Sequence, residues 1–234
     1  MKKVFDNDFK RAFLATVPVF AGYMVLGMGF GVILQSKGYG ILWAFAMSAY
    51  IYAGSMQYLA IDLMSAGASV AATALTTLMV NARHLFYGIS MVDKYKNMGK
   101  RKPYAIFALT DETYSLVCSE ENVRGIENRE KFYFLVSLFN QCYWVAGCVL
   151  GSIIGSLVKF NTEGIDFALT ALFVTVFIEQ WCSTKNHTPA VVGVAVSLAC
   201  LLIFGPDNFL IPAMIGITLA LTFLRRKLEG RENG

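Results

Sequence analysis

Charge is what this sequence has least of. Only 15% of its 234 residues are charged, against roughly one in four for soluble domains. Uncharged stretches run over 12–34, 39–61, 132–158, 167–178, 188–204 and 208–224. A helix needs about 20 predominantly apolar residues to cross a membrane, and several of these stretches meet that length, which excludes a soluble fold with one buried core helix. Histidine is scarcer still, with His84 and His187 alone. Neither sits in a His-Glu-x-x-His pattern, so no metal site and no cofactor is expected. The five cysteines, Cys118, Cys142, Cys148, Cys182 and Cys200, include no Cys-x-x-Cys pair. They lie in or at the ends of apolar segments, as small packing residues do. The net charge of +4 comes from basic loops and does not describe a nucleic-acid surface.

What is there is a succession of apolar segments, about 12–34, 39–62, 67–91, 103–118, 132–158, 166–182, 188–204 and 207–224. The fold class is an all-α, polytopic membrane protein. One transporter domain fills 1–234 and leaves no room for a soluble one. Met1–Arg11 is polar, and the apolar run after it is longer than the roughly 7–15 residues of a signal core, so the first segment is expected to stay as an anchor.

Lysine and arginine in short loops set the orientation. They cluster at Lys2, Lys3, Lys10 and Arg11, again from Lys94 to Lys102, and again at Arg225, Arg226, Lys227 and Arg231. All three clusters are expected in the cytoplasm, with both termini. Three full crossings before Lys94 would put the middle cluster outside, so one early segment should break or return. Segment 39–62, interrupted by Tyr52-Ala53-Gly54-Ser55-Met56-Gln57, is the candidate. Segment 103–118, short and carrying Asp111 and Glu112, is the second. This predicts about six full spans plus two broken or re-entrant segments; seven to eight plain spans are the alternative. Irregular backbone survives at membrane depth only where it is buried or lines a cavity, and transporters bind substrate at such breaks.

Three constellations carry possible chemistry. Asn81-Ala82-Arg83-His84 lies inside an apolar segment, where ionisable groups face a cavity or a partner. Arg83 either meets an acidic partner or a substrate carboxylate, or reaches for lipid phosphates from a cytoplasmic helix end. His84 orients it or moves protons. Asp111 and Glu112 need partners in a short apolar segment; they take a substrate ammonium or coupling protons, or face water at a helix end. Gly54, Ser55 and Gln57 offer a close backbone and hydrogen bonds to a zwitterion, or act as helix–helix glue. Asn140-Gln141 interrupts an uncharged span, where it bridges helices or lines a pathway. Asp166 and Glu179, at segment ends, are weaker pathway candidates. Gly27 and Gly31, and Gly147, Gly151 and Gly155, recur every four residues and form packing faces. Phe-Ala-Leu-Thr occurs at both 107–110 and 167–170, too short a match to establish a repeat.

Ala-Gly-Ser-Met-Gln at 53–57, Asn-Ala-Arg-His-Leu-Phe-Tyr-Gly at 81–88, Thr-Asp-Glu-Thr-Tyr at 110–114 and Asp-Phe-Ala-Leu-Thr-Ala-Leu-Phe at 166–173 together resemble the AzlC family of branched-chain amino-acid permeases. The resemblance covers essentially the whole chain. It implies export of Leu, Ile, Val and sometimes Met across the bacterial cytoplasmic membrane, driven by the proton-motive force. It also implies a complex with a small membrane subunit, AzlD. The residues alone reach only a broken-helix transporter with polar groups at mid-membrane. Two rivals remain at this point: a channel or scaffold subunit, and an intramembrane serine hydrolase using Ser55 and His84. The hydrolase lacks the Gly-x-Ser-x-Gly elbow around Ser55.

Overall fold

Two long apolar helices organise the first part of the chain. The computed structural model describes residues 2–81, 83–158, 174, 177–178, 181–182, 186–205 and 209–232, and among these every regular element is helical. Helix α1 spans Lys2–Ser36 with Pro18 inside it, and a second helix spans Arg129–Leu157. Within them, Asp8–Ser36 and Arg129–Leu157, 29 residues each, are long and apolar enough to cross a membrane. The backbone divides into two compact units, 1–169 and 170–234.

In the first unit the two long helices pack directly on one another. Their glycines are the reason. A Cβ on Gly27 would stand 3.0 Å from the Cys148 amide nitrogen, and one on Gly147 2.9 Å from the Tyr23 carbonyl oxygen. At Gly31 and Gly151 a Cβ would overlap the Cys148 and Met28 carbonyl oxygens. The two glycine faces expected from the four-residue spacing therefore meet each other within the chain. Aromatic edges continue the seam, with Tyr23–Trp144 centroids 5.3 Å apart and Phe20–Tyr143 5.0 Å apart.

Between the long helices the backbone breaks repeatedly. Helix α2 (Ile41–Ala46) runs into a π-helical turn, Met47–Ile51, which ends at Tyr52 with φ 45 and ψ 44. Tyr52 is the non-glycine residue with positive φ among those described, and a bulky residue there is uncommon. Helix α3 (Gly54–Ser65) restarts the chain. Helices α4 (Val70–Val80) and α5 (Arg83–Met91) follow. They part after Asn81, which leaves helical geometry at φ −92, ψ 4. This break inside 67–91 adds to those expected in 39–62 and 103–118. It falls in a continuous apolar run, and its only local cue is an Asn at a helix C-terminus. After a 3₁₀ turn at Gly99–Arg101 comes α6 (Lys102–Phe107), then irregular 108–110, then α7 (Asp111–Cys118) and α8 (Glu120–Val123). Thr110 caps α7, its hydroxyl accepting from the Thr113 amide at 3.3 Å. Asn128 caps the second long helix, α9, accepting from Lys131 at 2.9 Å.

The breaks bring three basic segments to one end of this unit. The Arg11 guanidinium donates to the Arg124 carbonyl at 2.6 Å, the Lys94 ammonium donates to the Val117 carbonyl at 3.3 Å, and Arg101 lies 5.5 Å over the Phe134 ring. Ala12, Met91, Tyr95, Val117 and Phe132 pack in one buried cluster beneath them. The start of α1, the loop holding Lys94–Lys102 and the turn at 119–131 thus share an end.

In the second unit, α10 (Thr188–Phe204) and α11 (Leu210–Glu232) pack as a pair. Asn186 accepts from the Thr188 amide at 3.1 Å at the head of α10, and Gly205 ends it at φ 74.

Candidate functional site

The α6–α7 break delivers a carboxyl to the centre of the first unit. Thr110 caps α7, and the two acids after it occupy the first turn, where the helix dipole favours negative charge. From there Glu112 accepts a hydrogen bond from the Tyr23 hydroxyl of α1 at 2.6 Å, inside the range for a hydroxyl donating to a carboxylate. Tyr23 also lies 2.9 Å from the Thr110 hydroxyl. Thr110 donates to the Thr113 hydroxyl at 3.2 Å, and the fully buried Asn140 donates its amide to the same oxygen at 3.0 Å. Four segments, α1, the 108–110 break, α7 and α9, therefore converge on one polar cluster.

One turn along α9 from Asn140, on the same face, the Trp144 indole donates to the Gln57 amide oxygen at 2.9 Å. Tryptophan is a donor only, so this contact fixes the Gln57 oxygen toward α9 and its NH₂ away. That NH₂ is buried without a partner, as is the Asn140 amide oxygen. Gln141 ties two breaks together. It donates to the Ala49 carbonyl of the π turn at 3.0 Å and accepts from the Tyr104 hydroxyl of α6 at 2.6 Å.

Beside the first break lies a cavity of about 710 Å³, within the roughly 300–1,000 Å³ of ligand pockets. Ile51, Leu78, Ile106, Phe107 and Leu109 give it a mostly apolar wall; Asn81, His84, Tyr52 and Lys102 are its polar points. His84 Nδ1 sits 3.2 Å from the Asn81 carbonyl oxygen, which ties α5 back to the end of α4.

The residues singled out from sequence divide accordingly. Gln57, Glu112 and Asn140 belong to the buried polar network and Gln141 to its edge, while Asn81 and His84 line the cavity. Gly54 brings α3 against the Trp144 ring, where a Cβ would stand 3.2 Å away. Ser55 is in the first turn of α3 and Asp111 in the first turn of α7. Arg83 heads α5, but its side chain lies outside the described residues, as do Asp166 and Glu179. Sequence reasoning missed Tyr23 and Trp144, and met Tyr52, Thr110 and Thr113 only inside the 52–57 interruption and the 110–114 motif, without a role. Thr110 carried a signal, a Thr followed directly by two acids, which marks a helix start. Tyr23 carried a fainter one, a lone hydroxyl in an apolar run that must find a partner when buried.

Tyr52 belongs to both groups. Its ring lines the cavity and tilts against Phe107 at 6.4 Å. Its hydroxyl is buried near Tyr23 and Thr110 without reaching good hydrogen-bond geometry to either.

Comparison with known proteins places this architecture. The family model described as AzlC protein matches residues 18–158. The branched-chain amino acid transport protein AzlC of Bacillus subtilis is 46% identical over 224 residues, covering 96% of this chain and 88% of that protein. A Helicobacter pylori (strain J99) protein named only as an uncharacterized membrane protein is 42% identical, over 96% of this chain and 98% of its own length. A similarly named Haemophilus influenzae protein is 39% identical, over 94% and 90%. No solved structure matches the chain. Relatives named as membrane proteins agree with the two spanning-length helices in locating the chain in a membrane. By both the family model and these relatives, the chain is a member of the AzlC family.

Proposed function

We propose that this protein is a carrier that exports branched-chain amino acids, leucine, isoleucine and valine, with methionine as a further substrate. Transport follows alternating access and draws on the proton-motive force. The name of the Bacillus relative supports the substrate class. One observation from this chain carries the reading. Two buried amides, Gln57 of α3 held by Trp144 and Asn140 one turn before Trp144 on α9, have unmet hydrogen-bonding groups of opposite kind, an NH₂ on Gln57 and an oxygen on Asn140. A buried polar group left unpaired costs about 1–3 kcal/mol and calls for an explanation. A zwitterion supplies both partners. Its carboxylate meets the Gln57 NH₂, with Gly54 and Ser55 at the same helix start and Arg83 as the cation. Its ammonium meets the Asn140 oxygen and Glu112. Glu112 and Asp111, with His84, are the groups that would carry coupling protons.

The chain is proposed to lie in the cytoplasmic membrane with both termini inside, next to a small AzlD-like subunit. The meeting of Arg11, Lys94, Arg101 and the 119–131 turn at one end of the first unit supports a common side for those basic segments. The test is efflux from cells preloaded with labelled leucine, isoleucine, valine and methionine, with and without the small subunit. Faster, saturable, uncoupler-sensitive efflux supports the carrier. Unsaturable flux identifies a channel, and no change with correctly inserted protein and partner removes the substrate assignment.

A further inference from the structure

The polar cluster offers a substrate hydrogen bonds from Gln57, Glu112 and Asn140. The cavity beside it offers apolar surface. Its wall is aliphatic and aromatic over Ile51, Leu78, Ile106, Phe107 and Leu109. The two are adjacent through Tyr52, which lines the cavity and whose buried hydroxyl lies near Tyr23 and Thr110 of the cluster. Leu109 also borders both, since it lines the cavity and immediately precedes Thr110. We propose that the cavity bounded by α4, α5, α6 and the Tyr52 break is the subsite for the substrate's aliphatic side chain, with Tyr52 as the wall between that subsite and the carboxyl cluster. This rests on the transport function proposed above and adds the residues that select the side chain.

Three further features fit. Tyr52 holds left-handed backbone at the end of a π-helical turn, and both irregularities concentrate at functional sites. Isolated polar points in an apolar wall describe a ligand pocket, and Asn81, His84 and Lys102 are such points here. The Tyr95 and Lys102 side of the cavity belongs to the basic loop, which the positive-inside rule assigns to the cytoplasm. A substrate leaving the cell would enter from there.

Gly88 makes the subsite testable. It lines the cavity on α5, and a Cβ built on it meets nothing within 4 Å. Larger side chains at this position of the cavity wall therefore start into open space rather than into packed atoms. Gly88→Ala, Gly88→Val and Gly88→Leu are to be made in the full chain, co-expressed with its small partner, and efflux of labelled leucine, isoleucine, valine and alanine measured for each. Hydrophobic pockets discriminate by roughly 10–200-fold per methylene of misfit. The expected result is a graded loss, with leucine and isoleucine falling at least about tenfold relative to alanine in Gly88→Leu and less in Gly88→Ala. Were Gly88→Leu to insert poorly, the alanine and valine variants still give the size series. Equal loss of every substrate, or no change in the leucine-to-alanine ratio across the series, overturns the subsite. A wild-type chain that moves none of these amino acids instead removes the transport function, and the subsite with it.

Discussion

Replacing Tyr23 by Phe removes one oxygen from the centre of the buried cluster and leaves the ring in place against Trp144, 5.3 Å away. That oxygen donates to Glu112 at 2.6 Å and contacts Thr110 at 2.9 Å. Hydrogen bonds to charged groups contribute about 1.5–3 kcal/mol, and neutral ones about 0.5–1.5 kcal/mol. At 2.6 Å the contact has the length of a hydroxyl–carboxylate bond, and with Glu112 ionised it belongs to the first class. Tyr23→Phe should therefore lower stability by about 1.5–3 kcal/mol and slow saturated transport with it. In the Glu112→Gln background the acceptor is neutral, so the same substitution should cost only about 0.5–1.5 kcal/mol. The assay is a double-mutant cycle on two readouts, thermal unfolding of the purified complex in detergent and initial efflux rate in vesicles. A Tyr23→Phe protein that melts and transports like wild type would refute the idea that this contact joins α1 to α7. So would purely additive effects of the two substitutions, since residues in contact couple.

Other consequences follow from the same packing and hydrogen bonds. Gly151→Leu should prevent folding or destabilise by several kcal/mol, because a side chain there overlaps the α1 backbone at Met28, whereas Gly22→Ala, with nothing within 4 Å, should be neutral; melting curves of the two variants compare them. Trp144→Phe leaves the Gln57 amide oxygen unpaired as well as its NH₂, and thermal unfolding should show a loss of about 1–3 kcal/mol. Gln141→Leu frees the Ala49 carbonyl and the Tyr104 hydroxyl together, so hydrogen exchange should speed up over the π turn and α6 at once. Single cysteines placed at Lys96 and Glu127 in a cysteine-free background should react with an impermeant thiol reagent from the same membrane face, since Lys94 and Arg124 approach one end of the unit.

The glycine spacing along α1 and α9 was legible because helical period alone places Gly27 and Gly31 on one face and Gly147, Gly151 and Gly155 on another. The break at Tyr52 was legible from the Ala-Gly-Ser that follows it. The break after Asn81 was not, because the apolar run continues through it and one Asn does not end a helix by itself. The buried cluster was half legible. Glu112 and Asn140 stand out as polar groups in apolar segments, but their partners Tyr23 and Thr113 lie 89 and 27 residues away in sequence. Only tertiary packing brings such residues together. The cavity was legible only through Asn81 and His84, since its apolar walls come from α4, α5, α6 and the Tyr52 break, and none of those apolar side chains differs locally from one facing lipid.

Efflux of labelled leucine from vesicles reconstituted with the purified chain and its small partner, under an imposed proton gradient, bears most directly on the central claim. Saturable efflux that stops when an uncoupler collapses the gradient, and that falls in Tyr23→Phe, is the predicted result. Leucine flux that never saturates, or that is indifferent to both the gradient and Tyr23, would contradict a proton-driven carrier built around this cluster.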